Sequence, residues 1–547
     1  MIYLVKKFSP RLMLFIVACT LSTNISADNS NDLDKTDDNA VFCPTTRRTS
    51  CDEECNLDIG CSSGACSDAC SCDFFGSNNA VCQTNCVSSR TYFLPRSLTT
   101  DSVLDLALGN YYFYHHTQCP EDRAFFQIQA SYFHLQSKRE CELAAYFNPN
   151  ARRCVSIEEN GTGDVGSLWL GLESTPGTSF SSTICLSPRR KVDGGFFNFL
   201  FDFNSWLCGS WLSIAFAAFK SENCIGLREC EVQNPGVVND ITNATQALNN
   251  CNWTAGKISP RKLSRTGVDD VQFKVGWNYY WCNFDHAGLY FVATAPTGCR
   301  SRNEFLFEPI VGSRHGSVGV GFNGDYTIWD CECQAVHLMA DLKYRFILPH
   351  CERRLFDLCS NGPWSRYLLV VTPENPSMPM PGVNFFAQNV DVRPRSTIDF
   401  WTALHYNWCE LNFEFGYDLF WRQAEDICLK CPSDLCVGIY DINGDCQGNP
   451  VSASCAQICQ TVAGASVGGV NIAPSDATFI NASTADFNLL SGSAPSALTH
   501  TVFGAISYDS EIWCLPVMIG VIGGFEIARC NTSFQQWIIS LKTGMSF

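Results

Sequence analysis

Charged side chains are scarce in this chain. Asp, Glu, Lys and Arg make up 17% of its 547 residues, against about a quarter in an ordinary soluble domain. Such a shortfall suits a protein with much surface that never meets water. Positive charge is scarcer still: 37 Lys and Arg stand against 54 Asp and Glu, a net charge of −17. Phosphate backbones demand the opposite balance, so a nucleic-acid partner is excluded. Long apolar runs are missing too. After residue 27 no apolar stretch reaches about 18 residues, the length a membrane-spanning helix requires. The most apolar segment, Ile512–Phe525, is shorter and is broken by Pro516, Gly520, Gly523 and Gly524. That leaves a soluble protein or a barrel that crosses with strands.

Signs of catalysis are also absent. There is no His-Glu-x-x-His and no phosphate-binding loop. Gly319-Val320-Gly321-Phe322-Asn323-Gly324 fits the dinucleotide pattern, but a further strand at Tyr326 follows it where a crossover helix is needed. His115 and His116 are the only adjacent histidines, and a solvated strand end explains them better than a metal. No enzyme, no metal and no cofactor are expected.

What is abundant is cysteine and aromatic residues. Lys6, Lys7 and Arg11 precede the apolar run Leu12–Leu21, and Ala27 offers a cleavage point, so residues 1–27 form an export signal. Its rival is a lipoprotein box ending at Cys19. Setting Cys19 aside leaves 32 of 33 cysteines, which with export predicts an oxidising compartment and disulfides. Residues 28–98 form an acidic and then cysteine-rich segment. Cys43, Cys51, Cys55, Cys61, Cys66, Cys70, Cys72, Cys82 and Cys86 crowd a stretch too polar to build a core, so cross-links must hold it. A zinc site at Cys51, Cys55, Cys66 and Cys70 is the runner-up.

From residue 99 to 547 the pattern becomes period two over segments of about ten residues. Phe413, Phe415, Tyr417 and Leu419 alternate with Glu414, Gly416 and Asp418. Val271, Phe273, Val275, Trp277, Tyr279 and Trp281 alternate with Gln272, Lys274, Gly276, Asn278 and Tyr280. Val336, Leu338, Ala340, Leu342, Tyr344 and Phe346 oppose His337, Met339, Asp341, Lys343 and Arg345. Strands of soluble sandwiches are shorter, typically five or six residues. The length, and ring-crowded faces set against polar ones, predict a transmembrane antiparallel β-barrel of about 14–16 strands, aromatic outside and polar inside. The outer membrane is then the expected location and its lipid the first partner.

Five Trp-Cys pairs sit between candidate strands: Trp206-Leu207-Cys208, Trp281-Cys282, Trp329-Asp330-Cys331, Trp408-Cys409 and Trp513-Cys514. They predict tight turns at one rim, with Trp at the lipid boundary. Cys208, Cys282, Cys331, Cys333, Cys409 and Cys514 are the turn cysteines, placed to bridge. Long connections are expected at about 221–268, 374–394 and 437–498. The last twelve residues alternate and close on Phe547, resembling the closing strand that barrel-assembly machinery recognises.

A cysteine-rich barrel with Trp-Cys turns resembles the chlamydial major outer membrane proteins, most closely at Trp329-Asp330-Cys331-Glu332-Cys333 and the strand that runs on to Phe346. The resemblance implies passive diffusion of small solutes. It also implies an envelope stiffened by disulfides within and between molecules, hence disulfide-linked neighbours or a homo-oligomer. This chain is longer, and its cluster at 43–86 has no counterpart there.

The inward-facing charges are the candidate site: Asp202, Lys274, Asp341, Lys343, Arg345, Asp399, His405, Glu414, Asp418 and Lys542. They line a water-filled lumen, or one plugged by loops or by the N-terminal cluster. Two further readings remain: an adhesive or structural envelope protein anchored by its barrel, and a soluble disulfide-rich secreted protein. The glycosylation triplets at Asn160, Asn243, Asn252, Asn481 and Asn531 speak for the latter.

Overall fold

The computed structural model describes residues 87–109, 126–138, 140–159, 161, 163–172, 178–203, 206–233, 241–282, 285–299, 301–331, 334–372, 375–429, 437–440, 456–459, 487–513 and 515–547, with the backbone alone at 47–50, 140, 281–282, 375–377 and 479–480. The export signal, Cys19, the cysteine cluster at 43–86, His115, His116, Asn160, Cys333, Cys514 and most of 437–498 lie outside the described residues.

Twelve antiparallel strands form a closed wall: β1 (Phe126–Lys138), β2 (Arg189–Asp202), β3 (Ser210–Cys224), β4 (Val271–Cys282), β5 (Asp285–Ala295), β6 (Ser317–Cys331), β7 (Gln334–Ile347), β8 (Arg395–Trp408), β9 (Leu411–Arg422), β10 (Ala497–Ile512), β11 (Leu515–Ala528) and β12 (Gln535–Ser546). Each pairs with its neighbour in sequence, and β12 pairs with β1 from Gln127↔Ser546 to Lys138↔Gln535. At the seam Phe126 and Phe547 exchange backbone hydrogen bonds of 3.3 and 2.8 Å. Closure leaves the wall no open edge, which a sheet in hydrocarbon requires.

The count is twelve, below the expected 14–16. His350–Leu355, Ala387–Arg393 and Asp426–Leu429 are strands as well, yet they pair with one another in a separate three-stranded sheet. Wall strands run from 11 to 16 residues, long enough to cross hydrocarbon at a tilt. Alternation follows the pleat. In β4, Gln272, Lys274, Gly276 and Asn278 are buried while Phe273, Val275, Trp277 and Tyr279 are exposed. In β12, Ser540 and Lys542 are buried and Ile539 and Leu541 exposed. Leu289, Phe291, Val320, Phe322, Leu338, Leu342, Phe415 and Ile519 continue the apolar belt. No described helix is long and apolar enough to cross a membrane.

The described residues of all five Trp-Cys pairs fall at one end, where neighbouring strands join through two to seven residues. Cys409 and Trp513 each hold φ at 53° there, the left-handed backbone that two-residue hairpins favour. Trp206, Trp329, Trp408 and Trp513 are exposed on that rim. The opposite end carries the connections 139–188, 225–270, 296–316, 348–394, 423–496 and 529–534. Their described parts fold together into a cap with its own core, including Phe147, Trp169, Trp253, Trp364, Phe386 and Phe534. Cys154 and Cys185, paired across a cap sheet, form a disulfide, and Cys230, Cys299 and Cys459 are also disulfide-bonded.

Candidate functional site in the barrel lumen

The bore is occupied by the chain itself. Residues 87–95 belong to the cap: Val87 bonds Asn531 in the β11–β12 connection, and Phe93 sits in the cap core. Residues 96–109 then descend inside the wall. Within them Asp101 caps a short helix, α1 (Ser102–Leu106), accepting from Val103 N at 2.9 Å. The wall strand begins only at Phe126, so 99–109 are plug and not barrel.

Charge fixes the plug at successive levels. Near the cap, the Arg96 guanidinium reaches Asp418 at 2.6 Å and Asp399 at 2.7 Å, with Asp101 at 3.9 Å. Arg345 and Lys343 approach the other Asp399 oxygen at 3.0 and 3.9 Å. Lower down, Lys343 donates to Thr100 O and Ser102 Oγ, while Lys274 pairs with Asp105. Asn198 donates to Asp105 as well, at 3.0 Å. Lys542 Nζ donates to the carbonyls of Leu104, Asp105 and Ala107 at 3.2, 2.9 and 2.8 Å. Those are the carbonyls a helix leaves orphaned at its C-terminus, where a cation is favoured. Near the turn end, Glu414 accepts from Leu108 N at 2.9 Å and Gln129 donates to Gly109 O at 3.0 Å.

Apolar contacts fill the rest. Val103, Leu106, Ala107 and Leu108 pack on inward-facing Met339, Trp401, Ala403, Phe503, Met518 and Ile522. On the far side Leu98 and Leu104 meet Phe133, Leu135, Val192 and Phe196. The lumen face is thus polar with an apolar saddle, and α1 lies in it.

No protein-family model and no curated protein matches this chain. Among solved structures it is similar to an outer membrane channel from Pseudomonas putida F1, at 11% identity and a TM-score of 0.33, covering 78% of this chain and 96% of the other. It is also similar to a Pseudomonas aeruginosa FadL homologue, at 7% identity and a TM-score of 0.29, covering 83% and 99%. The monoaromatic hydrocarbon channel CymD stands at 8% and 0.25, covering 85% and 98%. The narrower likeness to chlamydial major outer membrane proteins finds no support among them.

All ten candidate lumen charges are buried and face inward. Lys274, Lys343, Asp399, Glu414, Asp418 and Lys542 touch the plug directly. Arg345 supports Asp399; His405 contacts Glu414 at 3.4 Å and Asn412 at 3.3 Å. Asp341 accepts from Tyr290 Oη at 2.8 Å, and Asp202 closes β2 at the turn end. The turn cysteines Cys208, Cys331 and Cys409 are exposed, and only the backbone of Cys282 is described. Sequence reasoning missed the other half of the site: Arg96, Asp101 and Asp105 on the plug. Two signals pointed there. Asp101 before an apolar run is a helix start, and Trp401, Phe503 and Met518 are apolar residues on the face that parity assigns to water.

Proposed function

We propose that this protein is an outer-membrane anchor, held in lipid by its apolar belt and closed at rest by residues 96–109, that carries a folded cap at the end opposite its tight turns. The observation that carries this reading is the occupied bore, where Arg96 bridges Asp399 and Asp418. An open pore leaves lumen charges to water; here they are spent on the chain. Lipid is then the main partner, with barrel-assembly machinery reading the strand that ends in Phe547 and envelope neighbours meeting the exposed turn cysteines. A second reading, porin-like passage of small solutes, is favoured by the polar attachments of the plug, which water can replace. It requires the plug to move.

Solute flux in liposomes tests both. Wild-type protein is expected to pass small sugars at no measurable rate. Steady flux through the wild type overturns the closed-anchor reading, and flux that appears only when the plug contacts are weakened makes the protein a gated channel.

A further inference from the structure

Three potential metal ligands from three neighbouring strands meet on the lumen wall near the tight-turn end: Asp285 opening β5, Asp325 on β6 and His337 on β7. The pairings Asp325↔His286 and Thr327↔His337 set Asp325 and His337 on one inward face, and Asp285, at the very start of β5, reaches Thr327 between them. One ligand atom from each lies within 4.8 Å of the others, and all three residues are buried. Asp325 Oδ1 stands 3.3 Å from His337 Nδ1. That is about the edge of a tetrahedron drawn around zinc with bonds near 2.0–2.1 Å.

The electrostatics of this patch differ from those of the plug contacts. Asp105, Asp399 and Asp418 each face lysine or arginine. Asp285 has no such partner among the described residues; its Oδ1 accepts only from Thr327 N at 2.9 Å and Thr327 Oγ1 at 2.6 Å. Asp325 faces an imidazole, which is charged only when protonated. Two residues along the same face, Asn323 carries a buried Oδ1 with no hydrogen-bond donor among the described residues. A buried carboxylate such as Asp285, met by neutral donors alone among the described residues, calls for a positive charge.

We propose that Asp285, Asp325 and His337 bind one divalent cation of borderline softness, of which zinc is the probe. Two carboxylates and one imidazole suit zinc and similar first-row ions, with water completing the shell. Thr327 holds the Asp285 carboxylate in place from the same strand as Asp325. The ion clips β5, β6 and β7 together beside the turn rim, away from the plug contacts of Arg96 and Lys542.

The test uses full-length protein in detergent, oxidised and with remaining thiols alkylated so that cysteines cannot compete. After chelation and dialysis, zinc is titrated by calorimetry, and cobalt is added as a spectroscopic reporter. Wild type is expected to take up one equivalent, with cobalt bands of an oxygen and nitrogen site and no thiolate charge transfer. Asp325→Asn and His337→Gln, one on each of two strands, are each expected to weaken binding by at least about tenfold. Retained heat-modifiable gel mobility shows that both variants still fold. Absence of a stoichiometric zinc equivalent in wild type overturns the proposal. So does equal binding by both folded variants, or a thiolate signature in the cobalt spectrum.

Discussion

Arg96→Ala is the sharpest perturbation of the plug. The side chain is 4% exposed and bridges Asp399 and Asp418, with its guanidinium over the Phe420 ring at 4.6 Å. Its loss does not strand Asp399, which keeps Arg345 and Lys343. Asp418 is left buried with no other ion pair among the described residues. Removing one partner of a buried pair costs about 3–5 kcal/mol. At about 1.4 kcal/mol per decade, the plugged state loses roughly two to nearly four decades of advantage over any unplugged one. Single-channel recording in planar bilayers reads this directly. Rare or absent openings in wild type should become frequent in Arg96→Ala, and Arg96→Ala with Asp418→Asn should recover much of the loss because no charge is stranded. Arg96→Lys should fall between, since an ammonium cannot span two carboxylates as a planar fork does. If Arg96→Ala is as silent and as heat-resistant as wild type, these ion pairs do not hold the segment and the reasoning fails.

Trp401 is fully buried against the plug, and its Nε1 finds no acceptor among the described residues. Trp401→Ala should cost about 3–5 kcal/mol in denaturant unfolding, whereas Trp401→Phe removes the orphan donor and should stay close to wild type. On the outer face, Phe415 is 65% exposed near the middle of β9. Phe415→Lys should lower folding into lipid vesicles by about 2–4 kcal/mol, and an unchanged yield contradicts the lipid-facing assignment. In the cap, burial opposes charge on His315, but the hydrogen bond and charge of Glu352 outweigh it and raise its pKa above 6.5. Burial likewise opposes charge on Glu352, yet Arg354 and His315 bring it down to about 2. The histidine's contribution is full below pH 6.5 and fades as pH rises through its raised value. The glutamate's is full above its ordinary 4.5 and fades as pH falls toward about 2. Thermal melts should therefore show the cap firmest between those limits. His315→Gln should lose its deficit on the alkaline side, and parallel curves for both proteins across the range would refute the pairing.

The wall was legible because one physical rule dominates it. A strand with lipid on one side and protein on the other must alternate, so parity alone assigned Lys274, Asp399 and Lys542 to the inside. The rims were legible through the five Trp-Cys pairs. Strand number was not, because the long connections carry strands of their own, such as His350–Leu355 and its partners, that pair in separate cap sheets. The plug was least legible. A helix of five residues has too few turns to print a period, and the partners that hold Arg96 lie 303 and 322 residues further along the chain. Nothing local in Ser97-Leu98-Thr99-Thr100 says that a ring of strands will close around it.

That closure makes the molecule a bead on its own string. The segment enters at the cap, where Val87 is tied to Asn531, and leaves toward Phe126 in the seam. In the finished protein the thread is joined covalently to the wall at Phe126 and held at the cap by the hydrogen bonds between Val87 and Asn531. Any displacement that leaves the seam intact is bounded by the 16 residues between Gly109 and Phe126, whose fully extended reach is at most about 58 Å.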